Sequence, residues 1–162
     1  MKIIFLDVDG VLNNESTTES CRFYTGIDPV CLSRLKNLAD VSGAKIVLTS
    51  TWKTNWHKDD KSSQDEFADY LDRKFAEVGL KIFDKTQDEI DGEPIDRGES
   101  VIEYLLNTKY ERFVIIDDCV FDFYDCNLGA YLVRTDEKFG LTERNTMRAA
   151  MILGLKDPER EE

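Results

Sequence analysis

Short apolar runs alternate along this chain with segments that carry the apolar spacing of amphipathic helices, and that alternation limits the fold more than any other feature. The runs are KIIFL at 2–6, AKIVLTS at 44–50, LKIFD at 80–84, RFVIID at 112–117 and GAYLVRT at 129–135. A strand that is apolar along its length must be covered on both faces. Repetition of strand, helix and strand supplies that cover by laying the strands parallel with helices above and below. The expected architecture is an α/β, Rossmann-like three-layer sandwich on a mainly parallel five-stranded sheet.

Local signals place the helices. Asp28-Pro29 offers an Asp cap with Pro at the first helical position, for a helix ending near Gly43. Ser63 with Glu66 has the capping-box spacing and predicts a helix over roughly 64–78; Asp96 with Glu99 repeats it for a helix to about Asn107. Thr142 is expected to cap a last helix before an acidic tail at 156–162, and Lys53 to Lys61 reads as a loop or frayed turn.

At 162 residues the chain is expected to form one domain over 1–162. No apolar run approaches the ~20 residues of a membrane helix, and the opening MKIIFLD is too short and too soon acidic for a signal peptide, so no membrane partner and a cytoplasmic location are expected. A net charge of -12 repels polyanions and argues against general nucleic-acid binding. Cys21, Cys31, Cys119 and Cys126 form no CxxC pair and have only His57 for company, which points to reduced thiols rather than a zinc site or a disulfide framework.

In an open parallel sheet, ligands bind beyond the carboxyl ends of the strands. The chemically capable residues cluster there. Asp7 and Asp9 follow the first strand, Thr49 and Ser50 end the second, and Asp117, Asp118 and Asp122 follow RFVIID, while Arg97 opens the helix that feeds that strand. Two carboxylates at the end of an apolar run are costly unless a cation or a reaction uses them.

Four segments, DVDGVLN, GAKIVLTST, DRGESVIEYL and IIDDCVFD, stand in the order of the four short motifs of the haloacid dehalogenase (HAD) superfamily of phosphatases, which the chain closely resembles. TSTW, the step from RGESVIEYL to VIIDD, and GLTERNTMRAAMIL are similar to the small domains of this type associated with RNA-repair proteins, and the Asp-Asp pair resembles polynucleotide phosphatase domains. The resemblance implies a Mg²⁺-dependent phosphomonoesterase working through an aspartyl phosphate. Asp7 would be the nucleophile, Asp9 the general acid and base, Ser50 the hydroxyl that binds the phosphoryl group, and Arg97 the cation where the family normally has Lys, with Lys85 in reserve. The metal would be held by Asp7, Asp118 and the backbone carbonyl of Asp9, supported by Asp117 and Asp122, with Gly10, Thr49 and Thr51 beside the substrate.

The same resemblance sets the substrate expectations. Only a small cap-like loop at 13–27 and one helix follow the first motif, so no large cap domain is expected and the mouth should be open. That favours a nucleotide or polynucleotide terminal phosphate, or a small phosphate guarded by the loop. Rival readings are a sugar-phosphate phosphatase and a non-catalytic binding or regulatory module, the latter opposed by the presence of both Asp7 and Asp9. Trp52 and Trp56, four apart, suit core packing or a stacking wall for a nucleobase backed by Lys53, Lys58 and Lys61. His57 is expected in solvent.

Overall fold

The computed structural model describes residues 1–156, so the acidic tail lies, apart from Lys156, outside the described residues. Strand β1 (Lys2–Leu6) is followed by a hairpin of β2 (Ser20–Cys21) and β3 (Tyr24–Thr25), then helix α1 (Pro29–Ser42) and strand β4 (Lys45–Leu48). Two 3-10 turns, Thr51–Lys53 and Lys61–Ser63, lead to α2 (Glu66–Glu77) and β5 (Ile82–Lys85). A second hairpin, β6 (Glu89–Ile90) with β7 (Glu93–Pro94), precedes α3 (Arg97–Leu106) and β8 (Arg112–Asp117). A 3-10 turn at Gly129–Tyr131, β9 (Leu132–Arg134) and α4 (Glu143–Ile152) follow.

The central sheet has the order β5-β4-β1-β8-β9 and is parallel throughout. Its strands bury alternate residues in two layers. Ile4, Leu6, Ile46, Leu48, Val114 and Ile116 pack against α1, α2 and α4, whereas Ile3, Phe5, Val47, Phe113 and Ile115 pack against α3 and the segment around Phe123. Phe5 meets Tyr104 of α3 edge-on at 5.6 Å between ring centroids. Burial of such a side chain contributes roughly 1.5–3 kcal/mol, which makes these rows the main source of sheet cohesion.

Register then fixes the site. Leu6 pairs with Leu48 on one side and Ile116 on the other, and the ladder continues through Thr49 N–H to the Leu6 carbonyl and Asp7 N–H to the Ile116 carbonyl. Asp7, Thr49 and Asp117 therefore fall side by side on the α3 face of the sheet. α3 crosses on the face opposite to α1 and α2, so the connections diverge around β1 and open a crevice at its carboxyl end.

Three local expectations need correction. The second long helix starts at Glu66 because Asp65, not Ser63, accepts the Ala68 N–H; Ser63 ends the preceding 3-10 turn. The last strand is shorter than GAYLVRT, since 129–131 close a turn. The 13–27 segment is more than a loop: its hairpin docks on α2, with Ile27 N–H donating to the Tyr70 hydroxyl and Arg22 paired with Glu66. The caps at Asp28, whose carboxylate accepts from Val30 and Cys31, and at Thr142, which accepts from Asn145, form as expected. All four cysteines are free, and no helix among the described residues is long and apolar enough to cross a membrane.

Candidate active site

Asp7 sits at the end of β1 with only 5 % of its surface exposed, and Asp117 at the end of β8 is fully buried. Arg97, the first residue of α3, reaches both: its Nη1 lies 3.0 Å from Asp7 Oδ1 and 2.8 Å from Asp117 Oδ2. Burial pushes the Asp7 carboxyl up to about 7, helped by the charge of Asp117 and opposed by Arg97. Burial raises Asp117 as well, again against Arg97. Burial also works against the guanidinium, yet the two carboxylates hold its pKa above the ordinary value. The Phe121 ring covers the guanidinium at 4.2 Å and keeps water from one side of the pair.

α3 owes its position to an acid assigned above to the metal. Asp122 accepts from the Gly98 N–H at 2.6 Å and the Glu99 N–H at 3.1 Å, so it caps α3 rather than joining the acids at β1. The contact is so close that a Cβ on Gly98 would stand 2.9 Å from the Asp122 carboxylate. Glu99 turns back to the Asp96 N–H, as its spacing predicted. Lys85, the reserve cation, is directed elsewhere and donates to the carbonyls of Lys53 and Thr54.

Asp9 is exposed and held by two donors. Asn13 Nδ2 donates to its Oδ1 and the Trp52 indole Nε1 to its Oδ2, each at 3.0 Å. Asn13 also accepts the Gly10 N–H at 2.8 Å, which ties the turn after β1 to the same side chain. Gly10 has φ +74°, and a Cβ there would come within 2.4 Å of Asp118 Oδ2, so the turn and the approach of Asp118 both demand glycine. Neither Asn13 nor Trp52 was singled out for this task in the sequence. The D-x-D-G-x-x-N spacing is the signal that could have found Asn13; the Trp52 bond spans 43 residues and has no local signature.

The hydroxyls divide unexpectedly. Ser50, 1 % exposed, accepts the Trp52 N–H as the cap of the 3-10 turn, whereas Thr49 Oγ1 is buried without a hydrogen-bond partner. An unpaired buried hydroxyl normally costs about 1–3 kcal/mol. That makes Thr49, neighbour to Asp7 in the sheet, the hydroxyl that has a ligand to gain. It lines a cleft of about 250 Å³ with Thr51, Lys53, Thr54, Arg97 and Ser100. Lys53 is only 3 % exposed, and its Nζ bonds Thr86 at 2.7 Å and Asp88 at 2.8 Å. Burial lowers its pKa while Asp88 raises it. It is thus no surface charge behind a tryptophan wall. Trp56 is 1 % exposed and bonds Asp72, and Lys58 and Lys61 lie over Phe83 and Trp56. His57 is half-buried rather than in solvent, its backbone N–H donating to Gln64 Oε1 at 3.0 Å.

The donor set fits a hard divalent cation. Asp7, Asp117 and Asp118 bring three carboxylates near one guanidinium, that of Arg97, and burial together with the charges of Asp117 and Asp118 raises the Asp7 carboxyl to about 7. The ligand atoms of Asp117, Asp118 and Cys119 lie within 4.8 Å of one another. Burial and the neighbouring Asp118 push the Cys119 thiol up, so the two carboxylates are the anionic donors of this group at neutral pH.

A family model described as the HAD domain in Swiss Army Knife RNA repair proteins matches residues 3–146, a span that runs from β1 into α4 and includes every residue of this site. No curated protein and no solved structure matches the chain.

Proposed function

Since the chain belongs to the HAD-domain family of Swiss Army Knife RNA repair proteins, we propose that it is a phosphomonoesterase of the HAD type, acting through Asp7 on the terminal phosphate of a nucleotide or of a polynucleotide end. The observation that carries this reading is the Arg97 bridge between Asp7 and Asp117, with Asp9 fixed two residues from Asp7. Asp7 and Asp118, with the Asp9 carbonyl, would hold a Mg²⁺ ion. Such an ion supplies positive charge to the phosphoryl oxygens and lets Asp7 ionise at neutral pH.

Asp7 attacks phosphorus through one carboxylate oxygen. The bond from phosphorus to the leaving oxygen breaks, and Asp9 gives that oxygen its proton. Water then attacks the aspartyl phosphate, Asp9 takes the proton back, and orthophosphate leaves with Asp7 regenerated. Arg97 aims Asp7 and offsets its charge, while the Thr49 hydroxyl and the Thr51 N–H at the start of the turn meet phosphoryl oxygens. Asn13 and Trp52 hold the Asp9 carboxylate for both proton transfers.

Hydrolysis of p-nitrophenyl phosphate tests the proposal. Activity is expected with Mg²⁺, loss with EDTA, and loss in Asp7→Asn. Full turnover after rigorous chelation, or by Asp7→Asn, would defeat it.

A further inference from the structure

Two clefts meet at the 3-10 turn after β4, and they differ in character. Thr51 and Thr54 line both. On one side stand Thr49 with its unpaired hydroxyl, Arg97, and Lys53 paired with Asp88, with Asp96 at the edge, so this side holds the cations and a hydroxyl free to meet a phosphoryl oxygen. On the other, a cleft of about 220 Å³ is lined by Asp9, Tyr24, Trp52, Asn55, Asp65 and Phe67. Three aromatic rings form it: Phe67 meets Tyr24 edge-on at 5.4 Å and Trp52 edge-on at 6.0 Å. Tyr24 is 62 % exposed, and the turn of its hairpin displays Phe23 at 97 %. Such exposure on a docked hairpin leaves ring faces without a partner.

The charges of this second cleft exclude a polyanion. Its charged lining residues are Asp9 and Asp65, both acidic. The nearby cations are committed: Arg22 pairs with Glu66, and Lys53 turns to Thr86 and Asp88. The cleft therefore suits an uncharged planar group, with Thr51, Thr54 and Asn55 offering polar atoms to its edges. Its position assigns that group a place in the reaction. Asp9, which protonates the leaving oxygen in the reaction proposed above, forms its wall, so what enters here is bonded to that oxygen.

We propose that the Tyr24–Trp52–Phe67 cleft is the leaving-group site of the phosphatase, and that it takes one nucleoside, its base against the aromatic rings and its terminal phosphate toward Thr49 and Arg97. The inference rests on the phosphatase reading for the direction of the ligand. Trp52 joins the two tasks: its ring forms the cleft and its N–H holds Asp9. Any further phosphates of a strand lie outside the cleft.

The test compares kcat/KM, with Mg²⁺, for a nucleoside monophosphate, a trinucleotide with a terminal phosphate, and glycerol phosphate. Either nucleotide is expected to exceed glycerol phosphate on the order of ten-fold, the size of one base–aromatic stacking contact. The ratio of mononucleotide to trinucleotide tells a free nucleotide from a strand end. Tyr24→Ala and Phe67→Ala should each lower the nucleotide-to-glycerol ratio several-fold, mainly through KM. In parallel, an unphosphorylated nucleoside at millimolar concentration should quench tryptophan fluorescence in the wild type and not in Trp52→Phe. Equal kcat/KM for nucleotides and glycerol phosphate, or the absence of Trp52 quenching, overturns the cleft assignment. Quenching without hydrolysis of any phosphate would instead defeat the phosphatase reading and leave the nucleoside site standing.

Discussion

Asp7→Asn should remove activity and stabilise the metal-free fold. The residue is 5 % exposed, and burial with Asp117 nearby lifts its carboxyl from an ordinary 3.8 to about 7. Above about 7 the carboxylate is ionised in folded and unfolded chains alike, and the folded chain bears the full cost of an anion held from water. Below 3.8 it is protonated in both and that cost is absent. In between, the folded chain holds a proton that the unfolded chain releases, so stability falls as pH rises through this window. At ~1.4 kcal/mol per pH unit the loss is about 4 kcal/mol by pH 8, part of it shared with Asp117.

Asn mimics the protonated acid in shape and charge and escapes the loss. A gain of about 2–4 kcal/mol is expected at pH 8 in EDTA, or roughly 5–15 °C in melting temperature for a chain of this size. Urea and thermal unfolding of both proteins at pH 4, 6 and 8 would measure it. The gain should shrink steadily toward pH 4. Identical midpoints at pH 8, or a gain independent of pH, would refute the account of Asp7 as a strained anion awaiting a cation.

Arg97→Ala should lower kcat far more than Lys85→Ala, because only Arg97 contacts Asp7 and Asp117 while Lys85 braces backbone carbonyls; the reverse ranking in steady-state assays would displace Arg97 from the site. Asp122→Ala should cost about 1–2 kcal/mol in urea unfolding through loss of the α3 cap, and should lower kcat by loosening Arg97 one residue away. An inactive variant of unchanged stability would give Asp122 a direct chemical role instead. Trp52→Phe keeps a ring but removes the donor to Asp9. It should therefore slow an alkyl phosphate, which needs the acid, more than p-nitrophenyl phosphate, which needs it little; equal slowing would deny that Trp52 positions Asp9.

The parts of this protein that could be read from its sequence are those governed by short-range rules. Apolar runs gave the strands, the parallel sheet dictated where ligands gather, and at the strand ends Arg97 joins Asp7 to Asp117, with Asp118 beside Asp117 and Asp9 held apart by Asn13 and Trp52. What escaped were polar residues whose partners come from another element. Asp122 follows β8 in the spacing of a metal-site acid, yet the nearest unpaired N–H groups belong to α3, 23 and 24 residues earlier, and a helix N-terminus attracts a carboxylate as a cation does. Lys53 has the composition of a surface charge, but Thr86 and Asp88 arrive beside it only once β5 has joined β4. Ser50 and Thr49 are indistinguishable as neighbouring hydroxyls until the 3-10 turn claims the first as its cap and leaves the second unpaired. The same turn brings Trp52 over Asp9, so one piece of irregular backbone decides which hydroxyl faces a ligand, where the acid points and what the leaving-group cleft is made of. Its geometry follows from packing between β4 and α2, with Trp52 against Phe67 and Tyr70, and packing of that kind is set by the folded chain as a whole.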